Sequence, residues 1–367
     1  MKKSIDMPFL LVACVIVVAG LLVFTSAALG LMARGGGVSF ASVATNQLLI
    51  GFICGGAACF IVSRFDYRLL KPYTPYFFAF AIGLTLLTFT PLGLSLKGAS
   101  RWVDFGLFSF QPAEILKFAT VAFLAAFYST HMRTVDTWKG GVLPLGVIAG
   151  SATLLVLLQP DTASAMMIVA GAVGVLFAAG GKFSHMLILA LTGAAIVGIM
   201  ALSYTHVADR IETFLNQSND PHGAGWQIQQ SLIAIGSGEV FGKGFGQSIQ
   251  KFSYLPEPMG DSIFAVVGEE FGFFGSVALV AAFIAFGLLA LRIASRAPDP
   301  FGGLLVVGLT VLIVGQSFFN IASSLGLVPL VGVPLIFVSH GGTALAIALA
   351  EVGVILSVSR RMKSSSK

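Results

Sequence analysis

Asp261 is the acidic residue whose sequence setting most strongly suggests a chemical role. Pro256, Pro258 and Gly260 exclude a regular helix immediately before it, and an apolar run follows from Ser262 onward. This carboxylate therefore marks the point where a polar loop enters an apolar helix. A charge at a membrane boundary is costly unless it has a partner or a task. The setting favours a functional carboxylate, and the alternative is that Asp261 only caps the helix.

Small residues share a helical face with Asp261. Ala265, Gly268, Gly272 and Gly275 fall within about 40° of it on a helical wheel. Such residues permit close packing between helices. They would equally leave room for a bulky headgroup beside the carboxylate, and the sequence leaves both interpretations open.

Glu114 and Lys117 form a second pair of candidate residues. A helix is predicted to begin at Pro112, and a carboxylate in its first turn suits the helix dipole. Lys117 lies about one turn deeper, where a cation must pair or line a cavity. Their i,i+3 spacing allows an ion pair. That pair could be structural or could bind a substrate, with equal support.

Four other polar side chains are candidate site residues. Lys97 and Arg101 lie close together and suit a lipid diphosphate, although an arginine beside a tryptophan also anchors helices at headgroups. Asp161 is best explained as a helix cap, with pairing to nearby cations as the alternative. Lys243 lies in the glycine-rich stretch 236–246, whose exposed amides could hold a diphosphate. Glycine used only for turns is the default there, because the stretch lacks the Walker pattern of an NTPase.

Several other residues stand out in the second half of the chain. The density of proline and glycine in 326–342 predicts irregular backbone that lines a cavity or packs within protein. His340 in that segment could be an acid or base. A structural hydrogen bond is the interpretation we favour for it. Glu269, Glu270 and Glu351 are buried-polar candidates whose partners the sequence does not identify.

The composition requires that these residues be held by membrane-spanning elements. Of the 367 residues, 56% are apolar and 10% charged, and the mean hydropathy is +0.94. Soluble domains carry roughly a quarter charged residues, so the chain is a membrane protein. The net charge of +5 is not accompanied by basic clusters that alternate with aromatic residues, so nucleic acid is not a predicted partner. The three cysteines lack metal-ligand spacing and are predicted to pack in apolar surroundings.

The sequence predicts an all-α polytopic fold with ten transmembrane helices in a single domain, residues 1–367. One long connection, about 205–260, separates helices 7 and 8 and contains an amphipathic stretch, 226–235, that could lie at the interface as a short helix. The predicted spans are 8–32, 46–63, 74–94, 112–130, 141–158, 162–180, 183–204, 261–291, 302–327 and 335–359.

Lysine and arginine in the connections predict the orientation. With both termini cytoplasmic, fourteen of these residues lie in inner segments and six in outer segments, while Lys117 falls inside a span. This distribution fits the positive-inside rule and makes the connection 205–260 extracytoplasmic. The six outer cations include Lys97, Arg101 and Lys243, and they need an explanation of their own.

The polar segments, in this order and on ten spans, resemble the SEDS family of shape, elongation, division and sporulation proteins. The resemblance covers nearly the whole chain, and the stretch 247–257 is more similar to the division branch (FtsW type) than to the elongation branch (RodA type). Where family members usually have His-Thr before the essential aspartate, this chain has Met259-Gly260 before Asp261. The matching segments are Lys-Gly-Ala-Ser-Arg-Trp at 97–102, Gln-Pro-Ala-Glu-Ile-Leu-Lys at 111–117, Gln-Pro-Asp at 159–161, and 230–270 and 329–342.

This resemblance implies a peptidoglycan glycosyltransferase that polymerises lipid II outside the bacterial cytoplasmic membrane. Its implied partners are a class B penicillin-binding protein transpeptidase and other divisome membrane proteins at the division septum. Asp261 would be the general base on the acceptor hydroxyl, while undecaprenyl diphosphate leaves. The substrate-binding residues would be Lys97, Arg101 and Lys117 at the diphosphate, Glu114 orienting Lys117, and Asp161, Lys243 and Ser339.

Three alternatives remain open from the sequence. The same headgroup cavity could serve a lipid II flippase, although the concentration of charges on the outer face favours an enzyme. The chain could be an elongation-type polymerase, or a scaffold that only recruits a penicillin-binding protein. No cofactor is predicted with certainty: a divalent cation held by acidic groups is an open alternative, but the sequence has no metal-ligand cluster.

Overall fold

The computed structural model describes residues 5–34, 43, 45–96, 99–104, 109–203, 205–216, 223–330 and 332–362. These residues form a helical bundle with one small sheet. The sheet contains β1 (Gly93–Leu96), β2 (Ala99–Asp104) and β3 (Ser109–Phe110). The helices are α1 (Met7–Arg34), α2 (Asn46–Arg64), α3 (Tyr67–Phe89), α4 (Pro112–Thr130), α5 (Trp138–Leu157), α6 (Thr162–Ala178), α7 (Phe183–Ser203), α8 (Thr205–Leu215), α9 (Ala224–Ser237), α10 (Gln250–Ser253), α11 (Ile263–Ser295), α12 (Pro300–Ser324) and α13 (Gly342–Ser359).

All ten predicted spans are helical over most of their length, and the chain is a multi-pass membrane protein. Eight of the described helices are long and apolar enough to cross a membrane, whereas α6 and Phe183–Ala195 of α7 are shorter apolar helices. The number of spans therefore stays a prediction. Helices α4, α12 and α13 are the most buried and form the centre of the bundle.

Capping residues define where several helices begin. The Asp161 carboxylate accepts a hydrogen bond from the Ser164 amide (3.1 Å), as its predicted role as a cap requires. Asp299 caps α12 in the same way through Gly302, at 2.9 Å. Pro112 occupies the first turn of α4, where its missing N–H costs nothing.

The structure corrects the prediction at two places. The all-α class is confirmed, but the third predicted span is too long, because β1, β2 and β3 form a small antiparallel sheet in that order, beginning at residue 93 inside that span. Short alternating runs such as Leu94-Ser95-Leu96 escape a search for long apolar segments. The last predicted span is also too long, since α13 begins at Gly342 and residues 335–341 are irregular.

Contacts between connections distinguish the two ends of the bundle. We call the end that carries Asp261 the outer end, and there Ser339 Oγ donates to the carbonyl of Gly260 at 2.7 Å. At the opposite, inner end, Arg68 pairs with Asp299 at 2.9 Å. Two connections that the charge count places outside, those before Asp261 and before α13, thus meet at the outer end. Two that it places inside, those before α3 and before α12, meet at the inner end. That the outer end faces away from the cytoplasm stays a prediction.

Helix α11 is broken at Gly272, where φ is +64° and ψ is −160°. A break deprives carbonyl groups before it and amide groups after it of their helical partners, which is costly inside a membrane. The backbone of residues 239–244 supplies the missing partners. The bonds run from Lys243 N to Glu269 O (2.9 Å), Gly244 N to Glu270 O (3.0 Å), Phe273 N to Glu239 O (2.9 Å) and Phe274 N to Val240 O (3.2 Å).

The contact between the inserted segment 239–244 and the break in α11 requires glycine in both the segment and the helix. A Cβ at Gly272 would lie 2.4 Å from the Gly242 nitrogen and 2.7 Å from the Val240 carbonyl oxygen. Gly242 also has a positive φ, +80°, and a Cβ there would lie 2.2 Å from the Glu270 carbonyl oxygen. The part of α11 that precedes the break, residues 263–271, is thus fixed to the connection before the helix.

We expect Gly272→Ala to destabilise the protein, because a φ of +64° with a ψ of −160° is a conformation almost confined to glycine and costs another residue about 1–3 kcal/mol, and because the new methyl group overlaps the inserted backbone. The measurement is the midpoint of heat unfolding in detergent. Gly83→Ala is the control, since open space surrounds that position in α3 and alanine there is expected to be neutral or slightly stabilising. Equal midpoints for the two variants would contradict the role given to the break.

Candidate active site

Asp261 lies at the outer end, immediately before the residue that caps α11. The capping residue is Ser262, so Asp261 stands one residue outside the helix rather than at its cap. Its own carbonyl accepts hydrogen bonds from Asn320 Nδ2 (2.9 Å) and Ser324 Oγ (3.4 Å) of α12. The residue is half-buried, and its carboxylate faces Gly332, where a Cβ would come within 3.3 Å of Oδ2.

Residues 325–330 and 332–341 form irregular backbone, here named the segment 325–341, and pack against the residues that precede Asp261. Ser339 Oγ donates to the Gly260 carbonyl (2.7 Å) and accepts from the Leu335 amide (2.8 Å). The His340 amide donates to the Met259 carbonyl at 2.7 Å. These bonds fix the two loops to each other, so Ser339 joins the site by holding the backbone next to Asp261.

Three buried amide side chains bind this irregular backbone, and the sequence search did not single them out. Gln47 of α2 donates to the Ser339 carbonyl (3.2 Å) and accepts from the Gly341 amide (2.9 Å). Asn320 donates to the Val333 carbonyl at 2.7 Å as well as to Asp261. Gln316, one turn earlier in α12, donates to the Pro334 carbonyl at 3.2 Å. The sequence feature that could have identified these three side chains is an uncharged polar residue within an otherwise apolar helix.

The predicted ion pair between Glu114 and Lys117 is confirmed. Lys117 Nζ lies 2.8 Å from Glu114 Oε2, and both residues are buried. The ammonium also donates to Gln316 Oε1 at 2.7 Å. Since the same Gln316 side chain holds the Pro334 carbonyl, the pair is connected to the segment 325–341. Lys117 therefore has a definite structural task in addition to any contact with a substrate.

Arg101 and Asp161 lie together at the outer end. Arg101, on β2, donates to the backbone carbonyls of Gln159 and Pro160 in the turn between α5 and α6. Asp161 follows that turn, and its carboxylate also accepts from Gln111 Nε2 at 3.3 Å. The β-sheet thus positions Arg101 over the start of α6.

Arg210 completes this group of charges, and its sequence setting predicted no role for it beyond that of an outer cation. It lies on α8, where its guanidinium donates to Thr162 Oγ1 at 3.1 Å. Burial is the largest influence on Arg210 and lowers its pKa, as does the Arg101 guanidinium, whereas the carboxylates of Asp161 and Asp261 raise it. An arginine remains protonated in proteins. Two guanidinium groups and two carboxylates therefore interact within one partly buried region, which suits an anionic ligand.

Lys243 does not join this group in the structure. Lys243 Nζ binds Glu269 Oε1 at 2.7 Å, and Glu269 lies eight residues beyond Asp261, about 12 Å along a helix. The amides of Lys243 and Gly244 donate to carbonyls of α11, so the expectation that they are exposed for a diphosphate is wrong. Lys97 lies outside the described residues.

The small residues beside Asp261 serve close packing. A Cβ at Gly268 would lie 2.9 Å from Ile235 of α9, and one at Gly238 would lie 1.9 Å from the Gly268 carbonyl oxygen. With Gly272 also covered by the inserted segment 239–244, the interpretation that this face leaves room for a headgroup is wrong. The amphipathic helix is confirmed as α9, whose buried face includes Gln227, with a bond to Ser262 Oγ at 3.0 Å.

His340 is held mainly by packing. Its ring stacks on Phe24 with centroids 6.0 Å apart. Burial lowers the pKa of His340, and the Glu257 carboxylate opposes this effect. In the part of the chain that the structure describes, its Nε2 has no hydrogen-bond partner, so the hydrogen bond that fixes residue 340 comes from its backbone amide.

No group of three or more histidine, cysteine, aspartate or glutamate residues among those described could hold a metal ion. The described side chains place the Asp261 carboxylate at the same end of the bundle as the guanidinium groups of Arg101 and Arg210. Such an arrangement suits displacement of an anionic leaving group by a hydroxyl.

Comparisons with known proteins agree on one family. A family model described as "Cell cycle protein", and named for FtsW, RodA and SpoVE, matches residues 6–364. Stage V sporulation protein E of Bacillus subtilis (strain 168) is 38% identical over 86% of this chain and 87% of its own. A probable peptidoglycan glycosyltransferase FtsW of Geobacter sp. (strain M18) is 36% identical over 99% of both chains.

Solved structures share the fold at 22% identity. One concerns the structural coordination of polymerization and crosslinking by a peptidoglycan synthase complex; its matching chain has a TM-score of 0.80 and covers 97% of this chain and 98% of its own. The crystal structure of the rod shape determining protein RodA of Thermus thermophilus has a TM-score of 0.67, with 98% and 99% covered.

We expect Asn320→Leu to lower the free energy of unfolding by about 1–3 kcal/mol, because the Val333 carbonyl loses its donor and the Asp261 carbonyl keeps only the longer bond from Ser324. The measurement is heat unfolding in detergent. Ser323→Ala is the matched control, since that hydroxyl bonds only within its own helix, at 2.9 Å. A wild-type midpoint for Asn320→Leu would show that this side chain does not hold the two loops.

Proposed function

Because this chain belongs to the cell-cycle protein family of FtsW, RodA and SpoVE, we propose that it is a peptidoglycan glycosyltransferase that polymerises lipid II into glycan strands. The observation that supports this function most directly is that the guanidinium groups of Arg101 and Arg210 both bond the residues at the start of α6, at the outer end that also carries Asp261. A carboxylate beside guanidinium groups can combine proton abstraction with binding of a diphosphate.

In the proposed reaction, Asp261 accepts the proton of the acceptor hydroxyl. The acceptor oxygen forms a bond to the anomeric carbon of the donor sugar, and the bond from that carbon to the undecaprenyl diphosphate breaks. The leaving diphosphate takes both electrons of the broken bond, and Arg101 and Arg210 balance its charge. Atoms and charge balance without a redox partner.

The surrounding side chains orient this carboxylate. Asn320 and Ser339 hold the backbone on either side of it, and the Glu114–Lys117 pair supports the segment 325–341 through Gln316. Positions held in this way need little reorganisation during the reaction. Asp161 contributes by fixing the start of α6 beside Arg101 and Arg210.

The cellular setting is part of the proposal. The resemblance of 247–257 to the FtsW type supports septal cell-wall synthesis with a class B penicillin-binding protein and other divisome proteins. The solved complex that coordinates polymerization and crosslinking has the same fold, which supports such a partner. The positive-inside count supports an active site on the outer face of the bacterial cytoplasmic membrane.

We expect Asp261→Asn to reduce glycan synthesis at least about a hundredfold, since an amide cannot accept the proton. The measurement is polymerisation of purified lipid II by the protein with its penicillin-binding partner. Asp136→Asn, an exposed position at the inner end whose carboxylate lies 3.8 Å from Lys182 Nζ, is the control and keeps its activity. Unchanged synthesis by Asp261→Asn would refute the assignment. Scrambling of labelled lipid II in liposomes without polymer would favour a flippase.

We expect Arg210→Gln to lower kcat by about a hundred- to a thousandfold, the usual effect of removing one group that stabilises developing negative charge. Arg210→Lys should recover only part of the rate, because an ammonium lacks the planar fork of donors. Arg133→Gln, an exposed arginine at the inner end, is the control. A normal kcat for Arg210→Gln would exclude this arginine from the leaving-group site.

A further inference from the structure

A buried charge cluster joins the connection before Asp261 to the helix after it. Its centre is Lys251, whose side chain is fully buried, as is that of Glu270. Lys251 Nζ lies 2.6 Å from Glu270 Oε1 and also donates to Ser26 Oγ of α1 and to the Gly246 carbonyl, each at 2.9 Å. These bonds account for all three donors of the ammonium group.

The carboxylates of Glu270 and its neighbour Glu269 each accept several hydrogen bonds in this cluster. Glu270 also accepts from Ser26 Oγ (2.7 Å) and from the Ser248 amide (3.3 Å). Charge-assisted bonds of this kind are the strong ones, and here they cross between α1, α11 and the connection. The neighbouring Glu269 accepts from Lys243 Nζ (2.7 Å), Ser248 Oγ (2.5 Å), Ile249 N (3.1 Å) and Gln250 N (3.3 Å).

The Lys251–Glu270 pair closes a loop of the chain, and Asp261 lies near its middle. Asp261 follows Lys251 by ten residues and precedes Glu270 by nine. Closing a loop removes much of its conformational freedom. Within the loop, the buried Leu255 side chain and a bond from Trp226 Nε1 to the Tyr254 carbonyl (3.3 Å) add weaker restraints.

We propose that Lys251 and Glu270 are positioning residues: their ion pair is a clasp that fixes the place of the Asp261 carboxylate at the outer end. The assignment rests on the proposed glycosyltransferase function for its kinetic consequence, but its structural consequence does not depend on that function. Neither residue touches the group formed by Arg101, Asp161 and Arg210 in any contact described above. Their effect on the reaction is therefore indirect, through the loop 251–270.

Single and double variants of Lys251 and Glu270 distinguish a positioning role from a role in stability alone. Removing one partner leaves an uncompensated charge in the interior, which is strongly destabilising, whereas neutralising both partners is often tolerated. Lys251→Met and Glu270→Gln are thus expected to be unstable singly. The double variant Lys251→Met/Glu270→Gln is expected to recover the heat-unfolding midpoint, because glutamine keeps the acceptor for Ser26 and no unpaired charge remains.

Two measurements on the full-length protein test the clasp. In the double variant, amide hydrogen exchange of residues 254–262 should become faster than in the wild type, because the loop is no longer closed by an ion pair. The kcat for lipid II polymerisation should fall by about a hundredfold, the scale expected for a small misplacement of a catalytic group, with KM changed much less. Arg101 and Arg210 are untouched, so binding of the diphosphate should persist.

Arg292→Met is the matched control. Arg292 pairs with Asp6 at 3.3 Å and so joins the residue before α1 to the inner end of α11, the helix that also carries Glu270. It should leave both the exchange of residues 254–262 and kcat at wild-type values.

The outcomes decide between the alternatives. If the double variant recovers its midpoint together with wild-type exchange and kcat, the pair only stabilises the fold and the clasp is refuted. If the wild type itself makes no polymer, the proposed function fails, while the exchange of residues 254–262 still decides whether the pair holds this loop.

Discussion

Backbone groups inside a membrane-spanning bundle must find hydrogen-bond partners within the protein, and the site of this chain depends on how that requirement is met. Among the described residues, two irregular stretches find their partners in other parts of the chain: the break in α11 and the segment 325–341. The first is satisfied by the backbone of 239–244, and the second by amide side chains from α2 and α12. Because both solutions come from other parts of the chain, they fix those parts in relation to Asp261.

The result is a carboxylate held from two directions. On one side, Asn320 and Ser339 bind the backbone next to it, and the Glu114–Lys117 pair supports the same loop through Gln316. On the other, buried glutamates of α11 bind lysines of the preceding connection. The cationic groups Arg101 and Arg210 lie on two further elements, the β-sheet and α8. A reaction that needs a proton acceptor next to a departing diphosphate is well served by such separate supports.

Local sequence rules were sufficient where the partners are near in sequence. The i,i+3 spacing predicted the Glu114–Lys117 pair, the proline and glycine pattern predicted the loop before Asp261, and Asp161 was predicted as a cap; the structure agrees on all three. Long-range partners could not be predicted in this way. Lys251 lies nineteen residues from Glu270, and Ser26 much farther, so nothing local identifies the cluster. The two interpretations of the small residues near Asp261 stayed open for the same reason, because the segment that fills their space comes from an earlier part of the chain.

The break in α11 has a consequence for how the protein is made. Residues 239–244 precede α11 in the chain, so they leave the ribosome before the helix whose hydrogen bonds they complete. With 33 residues and high hydropathy, α11 is suited to enter the bilayer as one continuous segment. The bonds to 239–244 can form only afterwards, when the folded connection docks against the inserted helix. Membrane insertion and completion of the active site are therefore separate stages of biogenesis, and a chain with all its spans in place is not yet an assembled enzyme.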